Sequence, residues 1–139
     1  MIILALDVGS KRIGIAVSDP LGMIATGLPT LERQDLAWDL EAIQKIVNER
    51  KVQMILLGLP LHMNGRHGKE ADEVLKFRDD LMEKTHLPVE VIDERWTTVA
   101  AERTLLEGDL SRKKRKGKID QVAAQIILQS YLERERFKS

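Results

Sequence analysis

The chain has 139 residues, 43% hydrophobic and 32% charged, the size and balance of one globular domain and too short for the two lobes of a clamshell enzyme. Its 22 basic and 22 acidic residues cancel, so overall charge does not point to a polyanionic partner; the absence of cysteine excludes disulfides, thiolate nucleophiles and cysteine-based zinc sites. The apolar start Met1–Leu6 breaks off at Asp7 without a basic leader, and no apolar stretch approaches the ~20 residues of a membrane span, so a cytoplasmic protein without a membrane segment is expected.

Ile2–Leu6 reads as a buried strand running into a turn at Asp7, Gly9 and Ser10, and Ile13–Val17 as a second strand paired with it in a hairpin. Met23–Leu31 reads as a third, with breakers at Gly27 and Pro29. Asp35 is placed to cap a helix to about Arg50, in which Leu36, Leu40, Ile43 and Val47 fall at helical spacing and Trp38 is expected to pack in the fold. The continuous apolar run Val52–Leu57 fits a central strand covered on both faces, and Gly58–Gly65, with Pro60 and Asn64-Gly65, reads as a loop. A second helix is predicted over Lys69–Lys84, with Ala71, Val74, Leu75 and Leu81 inward, and a strand at Val89–Asp93. Thr97 or Thr98 can cap a helix to about Glu107. From Arg112 to Lys118 every residue except Gly117 is basic; Ile119–Arg134 is the last helix, with Ile119, Val122, Ala123, Ile126 and Ile127 as its expected buried stripe. Three strands followed by alternating helices and strands imply one α/β domain over residues 1–139, a mixed five-stranded sheet with helices on both faces.

Three carboxylates stand out by position. Asp7 ends the first strand, Asp93 and Glu94 end the last, and Asp120 opens the last helix on the face shared with Ala123 and Ile127. A carboxylate aimed at an apolar interior is costly unless paired or metal-bound, and a hard divalent cation relieves the mutual repulsion of several. Singly, each acid is better read as a turn or helix cap; together, around one sheet edge, they point to a magnesium or manganese site able to hydrolyse a phosphodiester. Strand alternation sends Asp93 and Glu94 to opposite faces without saying which one faces Asp7.

Basic and hydroxyl residues surround these acids. Lys11 and Arg12 follow the Asp7 turn; Arg66 follows Asn64-Gly65; Arg95, Thr97 and Thr98 follow Glu94; Arg112, Lys116 and Lys118 precede Asp120. They are the candidate contacts to a phosphate backbone, contacts that would weaken with salt and be indifferent to base sequence. The three histidines lack metal-ligand spacing, and Trp96 is more simply a packing residue than a base-stacking one.

Asp7-x-Gly-Ser-Lys-Arg-Ile-Gly-Ile-Ala16, Gly58-Leu-Pro-Leu-x-Met-Asn-Gly65, Asp93-Glu-Arg-x-Thr-Thr98 and Lys116-Gly-Lys-Ile-Asp120-x-x-Ala-Ala resemble, in order and over almost the whole chain, the YqgF or RuvX family. Its members are described as pre-16S ribosomal RNA nucleases, look like Holliday-junction resolvases and have the ribonuclease H-like fold. The resemblance implies a metal-dependent endonuclease processing the 5′ end of small-subunit ribosomal RNA, with Asp7, Glu94 and Asp120 as catalytic acids and ligands of Mg2+ or Mn2+; the Val122–Ile127 helix or an exposed strand edge could mediate a homodimer, and the sequence leaves monomer and homodimer open. Related resolvases carry a further acid one helical turn after the last Asp, where this chain has Ala123; a second metal would have fewer ligands, which makes junction cleavage less secure than RNA hydrolysis and leaves RNA or branched DNA open as substrate. Two other readings stand beside it: a nucleic-acid-binding module with a degenerate site, and a nucleotide binder of the actin and hexokinase type, which would need a second lobe.

Overall fold

In a computed structural model of the chain, residues 1–60, 65–94 and 119–136 are described. Strands β1 (Ile3–Val8), β2 (Arg12–Ser18) and β3 (Ala25–Glu32) precede helix α1 (Leu36–Arg50); β4 (Met54–Leu59), α2 (Lys69–Thr85), β5 (Val89–Asp93) and α3 (Ile119–Arg136) follow. The helix expected from Thr97 or Thr98 to Glu107 and the basic run Arg112–Lys118 lie outside the described residues. No helix among the described residues is long and apolar enough to cross a membrane.

The five strands form one mixed sheet in the order β3-β2-β1-β4-β5. β1 pairs antiparallel with β2 and parallel with β4, and β4 pairs parallel with β5. The carboxyl ends of β1, β4 and β5 therefore share one edge, the usual place for a site in such sheets. Side-chain alternation divides the core in two. Leu4, Leu6, Ile55 and Leu57 face α1 and α2, meeting Ile43, Val47, Val74, Phe77 and Leu81. Ile3, Ala5, Met54, Leu56 and Ile92 face α3, meeting Ala124, Ile127, Leu128, Tyr131 and Leu132.

Three local expectations change, and one holds against its breakers. β4 continues to Leu59, so Gly58 belongs to a strand rather than to the following loop. β3 runs through Gly27 and Pro29, as expected of the third strand; at the sheet edge it can lack the donor that proline removes. On α1, Asp35 accepts the Trp38 N–H at 2.8 Å as expected, yet Trp38 and Leu36 are largely exposed and Asp39 is the residue buried beside Ile43 and Val47. On α3 the buried face is rotated from the expected stripe: Val122, Ala123 and Ile126 are half-buried, whereas Gln125, Gln129 and Ser130 are buried.

The buried glutamines have a backbone reason. Gln121 Nε2 donates to the Leu28 carbonyl at 2.8 Å, and Gln125 Nε2 to that of Ala25 at 3.4 Å. Gln129 accepts the Ala25 N–H at 3.0 Å through Oε1 and donates to the Met23 carbonyl at 3.1 Å through Nε2. α3 thus satisfies the free edge of β3 and its approach with a row of amides one turn apart. Gly27 permits the closest approach, since a Cβ there would lie 2.5 Å from Gln121 Cγ. Replacing Gln129 by Leu keeps the volume but orphans a buried N–H and a carbonyl, and should lower stability by about 2–3 kcal/mol in urea unfolding.

Candidate active site at the strand ends

Asp7 follows Ala5 by two residues on β1, so it lies on the α3 side of the sheet. Glu94 follows Ile92 by two residues, just past β5, and lies on the same side. Asp93, still within β5, alternates to the α1–α2 side with Val91. Register therefore answers the question that alternation alone left open: Glu94 is the acid that reaches Asp7.

Between them runs β4, and on its α3-facing side the residue after Met54 and Leu56 is Gly58. A Cβ at Gly58 would sit 2.5 Å from Glu94 Oε1 and 2.7 Å from Ile127 Cδ1. The missing side chain thus leaves the space that Glu94 occupies against α3. A glycine inside a strand often marks such a close approach, and that is the signal by which Gly58 could have been found from the sequence.

The two carboxyls interact directly. Glu94 is half-buried, and its pKa is raised from the usual 4.5 to about 7. Burial is the largest cause, followed by the hydrogen bond it makes to Asp7 and the negative charges of Asp7 and Asp93. Near neutrality the protonated Glu94 hydroxyl donates to the Asp7 carboxylate, and the pair shares one proton between two sites that repel when both are ionised.

Asp120 is the second residue of α3, one turn before buried Ala124 and two turns before Ile127, which touches the space over Gly58. Its side chain lies outside the described residues, as do Arg95, Thr97, Thr98, Arg112, Lys116 and Lys118. Lys11 is exposed on the turn after β1 and Arg12 at the start of β2, where its Nε lies 3.1 Å from Glu32 Oε1; Arg66 is exposed ahead of α2. Among the described residues no three acidic or histidine side chains close round one metal position. The two described carboxyls, with a shared charge to neutralise, would suit a hard divalent cation completed by further oxygen ligands and water.

A five-stranded mixed sheet flanked by helices on both faces is the ribonuclease H-like fold, which solved junction resolvases share. The fold superposes on Thermus thermophilus RuvC in complex with a Holliday-junction substrate, with a TM-score of 0.64 and 10% identity over 99% of this chain and 97% of that one. The fowlpox virus Holliday junction resolvase superposes with a TM-score of 0.56 and 14% identity over 96% and 99% of the two chains. Residues 1–134 match the family model described as RuvX, Holliday junction resolvase, and the chain belongs to that family. Relatives in Moorella thermoacetica and Clostridium botulinum are 52% and 50% identical, over 96% of this chain and 96% and 97% of their own lengths; both carry the name "Putative pre-16S rRNA nuclease".

Two outcomes follow from the geometry. The folded chain holds the Glu94 proton up to about 7, whereas the unfolded chain releases it near 4.5, so the folded state binds more protons between those values. Stability in EDTA should therefore fall as pH rises through that window and then level, by about 1–2 kcal/mol once the partial exposure of Glu94 is allowed for. Glu94→Gln should remove most of this slope in thermal melts. Gly58→Ala should displace Glu94 and press on Ile127, lowering stability by about 1–3 kcal/mol and cleavage by about 10- to 100-fold.

Proposed function

We propose that the chain is a metal-dependent endonuclease that hydrolyses phosphodiester bonds in nucleic acid, acting in the cytoplasm on the 5′ end of the pre-16S ribosomal RNA precursor. The observation that carries this reading is the meeting of Asp7 and Glu94 over Gly58, on the sheet face that α3 covers. The relatives at about half identity, named for pre-16S rRNA, support the substrate.

Asp7, Glu94 and Asp120 would hold the ion, Asp120 from the first turn of α3. When bound, magnesium or manganese supplies charge neutralisation at the scissile phosphate and activates the attacking water. Asp7 and Glu94 must first release the proton they share, so cleavage at limiting metal should rise with pH through about 7. Lys11, Arg12, Arg66, Arg95, Thr97, Thr98 and the basic residues Arg112, Lys116 and Lys118 are proposed to hold the substrate backbone, which makes binding salt-dependent.

The family's description as junction resolvases favours a second reading, cleavage of branched DNA. Purified protein should be offered precursor RNA and a four-way DNA junction with Mg2+, Mn2+ or EDTA. Metal-dependent cleavage at the precursor's 5′ side, reduced at least about 10³-fold by Asp7→Asn, Glu94→Gln or Asp120→Asn, is expected; selective cutting of the junction would move the assignment to DNA. Absence of cleavage of either substrate, with an Asp7→Asn copy rescuing depleted cells, would leave only a binding role.

A further inference from the structure

Arg33, just beyond β3, does something the nuclease reading does not use. Its Nη1 donates to the Gly9 carbonyl at 2.9 Å and its Nε donates to Asp39 Oδ2 at 3.0 Å. Its own N–H donates to the Lys11 carbonyl at 2.9 Å. Its guanidinium lies over the Phe77 ring, 5.4 Å from the centroid. Asp39 is 1% exposed and also accepts the Gln34 N–H at 3.0 Å. One planar cation therefore joins the turn between β1 and β2 to α1 and α2 at once.

That turn begins two residues after Asp7. It is closed internally by the Gly9 N–H donating to the Arg12 carbonyl at 2.8 Å. On its side toward α2 the turn borders a groove of about 530 Å³, lined by Val8, Gly9, Ser10, Arg33, Val74 and Phe77 among others. Across that groove the hydrogen bond from Arg33 links the Gly9 carbonyl to the Asp39 carboxylate of α1. Asp39 in turn holds the guanidinium: a carboxylate so buried fixes its partner, and the fork geometry of arginine lets two nitrogens serve two acceptors in different directions.

We infer that Arg33 is a positioning residue for Asp7, anchored by Asp39, which fixes the β1–β2 turn and so the height at which the Asp7 carboxylate is presented to Glu94. The inference rests on the proposed nuclease reading for its consequence, but not for its geometry. Displacements of about 1 Å at a site that must collect several ligands round one ion are enough to lower rates about 100-fold.

Arg33→Lys tests this directly. It keeps a charge for Asp39, yet a single ammonium cannot take the place of both nitrogens of the fork. The expected result has three parts: amide hydrogen exchange at Gly9 at least about tenfold faster with central sheet amides unchanged, kcat on precursor RNA down at least about tenfold with KM within about twofold, and weaker binding of Mn2+ alone by calorimetry. A purely structural role would instead lower the folded fraction and leave kcat per folded molecule intact, and that result overturns the inference. Unchanged Gly9 exchange also overturns it, whatever the activity. Arg33→Ala leaves Asp39 buried without its cation; should it fail to fold, the lysine variant still decides. If the wild-type chain binds no Mn2+ and cuts nothing, the nuclease reading falls, and the Gly9 exchange rates alone judge whether Arg33 holds the turn.

Discussion

Two carboxyls within hydrogen-bonding reach of each other repel unless a proton or a cation lies between them, and this constraint governs the site formed by Asp7 and Glu94. Burial against α3 sharpens it, because charge interactions strengthen as water is excluded. The local fold accommodates the pair in two ways. Gly58 withholds the Cβ that would fill the space of the Glu94 carboxyl, and the parallel pairing of β1, β4 and β5 brings both acids to one edge. Under the proposed metal-dependent reading, a hard cation would replace that proton in a place where negative charge is otherwise disfavoured.

Three sets of polar contacts keep this arrangement in place, each spanning elements distant in sequence. Parallel register across β1, β4 and β5 fixes the acids along the sheet. The glutamines at positions 121, 125 and 129 hold α3 to β3 and the residues leading into it, which fixes the helix on which Asp120 lies. Arg33 with Asp39 holds the turn after Asp7. Apolar packing on both sheet faces supplies the bulk of the stabilisation, but it is non-directional; the hydrogen bonds decide the heights and rotations that a ligand set requires.

Likeness to the resolvases at 10% and 14% identity is physically reasonable for the same cause. A core of the right volume and pattern can be refilled by many apolar combinations, so strand order and helix placement survive where side chains do not. The relatives at about half identity share far more than this pattern, and it is with them that the chain forms a family.

The five strands, the helices α1 and α2, the last helix and the mixed sheet covered on both faces were legible from hydrophobic periodicity, because each reports local geometry that a few neighbouring residues dictate. The placement of Asp7 and of the Asp93-Glu94 pair at the ends of strands was legible too, since each directly follows an apolar run. Tertiary structure supplied the physical reason that Glu94, which only the family resemblance had preferred to Asp93, turns toward Asp7; it decided that Gly58 lies in a strand and makes room for it, and that Asp39 rather than Leu36 points inward on α1. It also decided that α3 buries Gln125 and Gln129 in place of Val122 and Ile126. The physical reason is common to all four. Periodicity tells which residues share a face, but which face is covered, and which distant backbone carbonyl or carboxylate waits there for a polar side chain, is fixed only when strands and helices far apart in the chain meet.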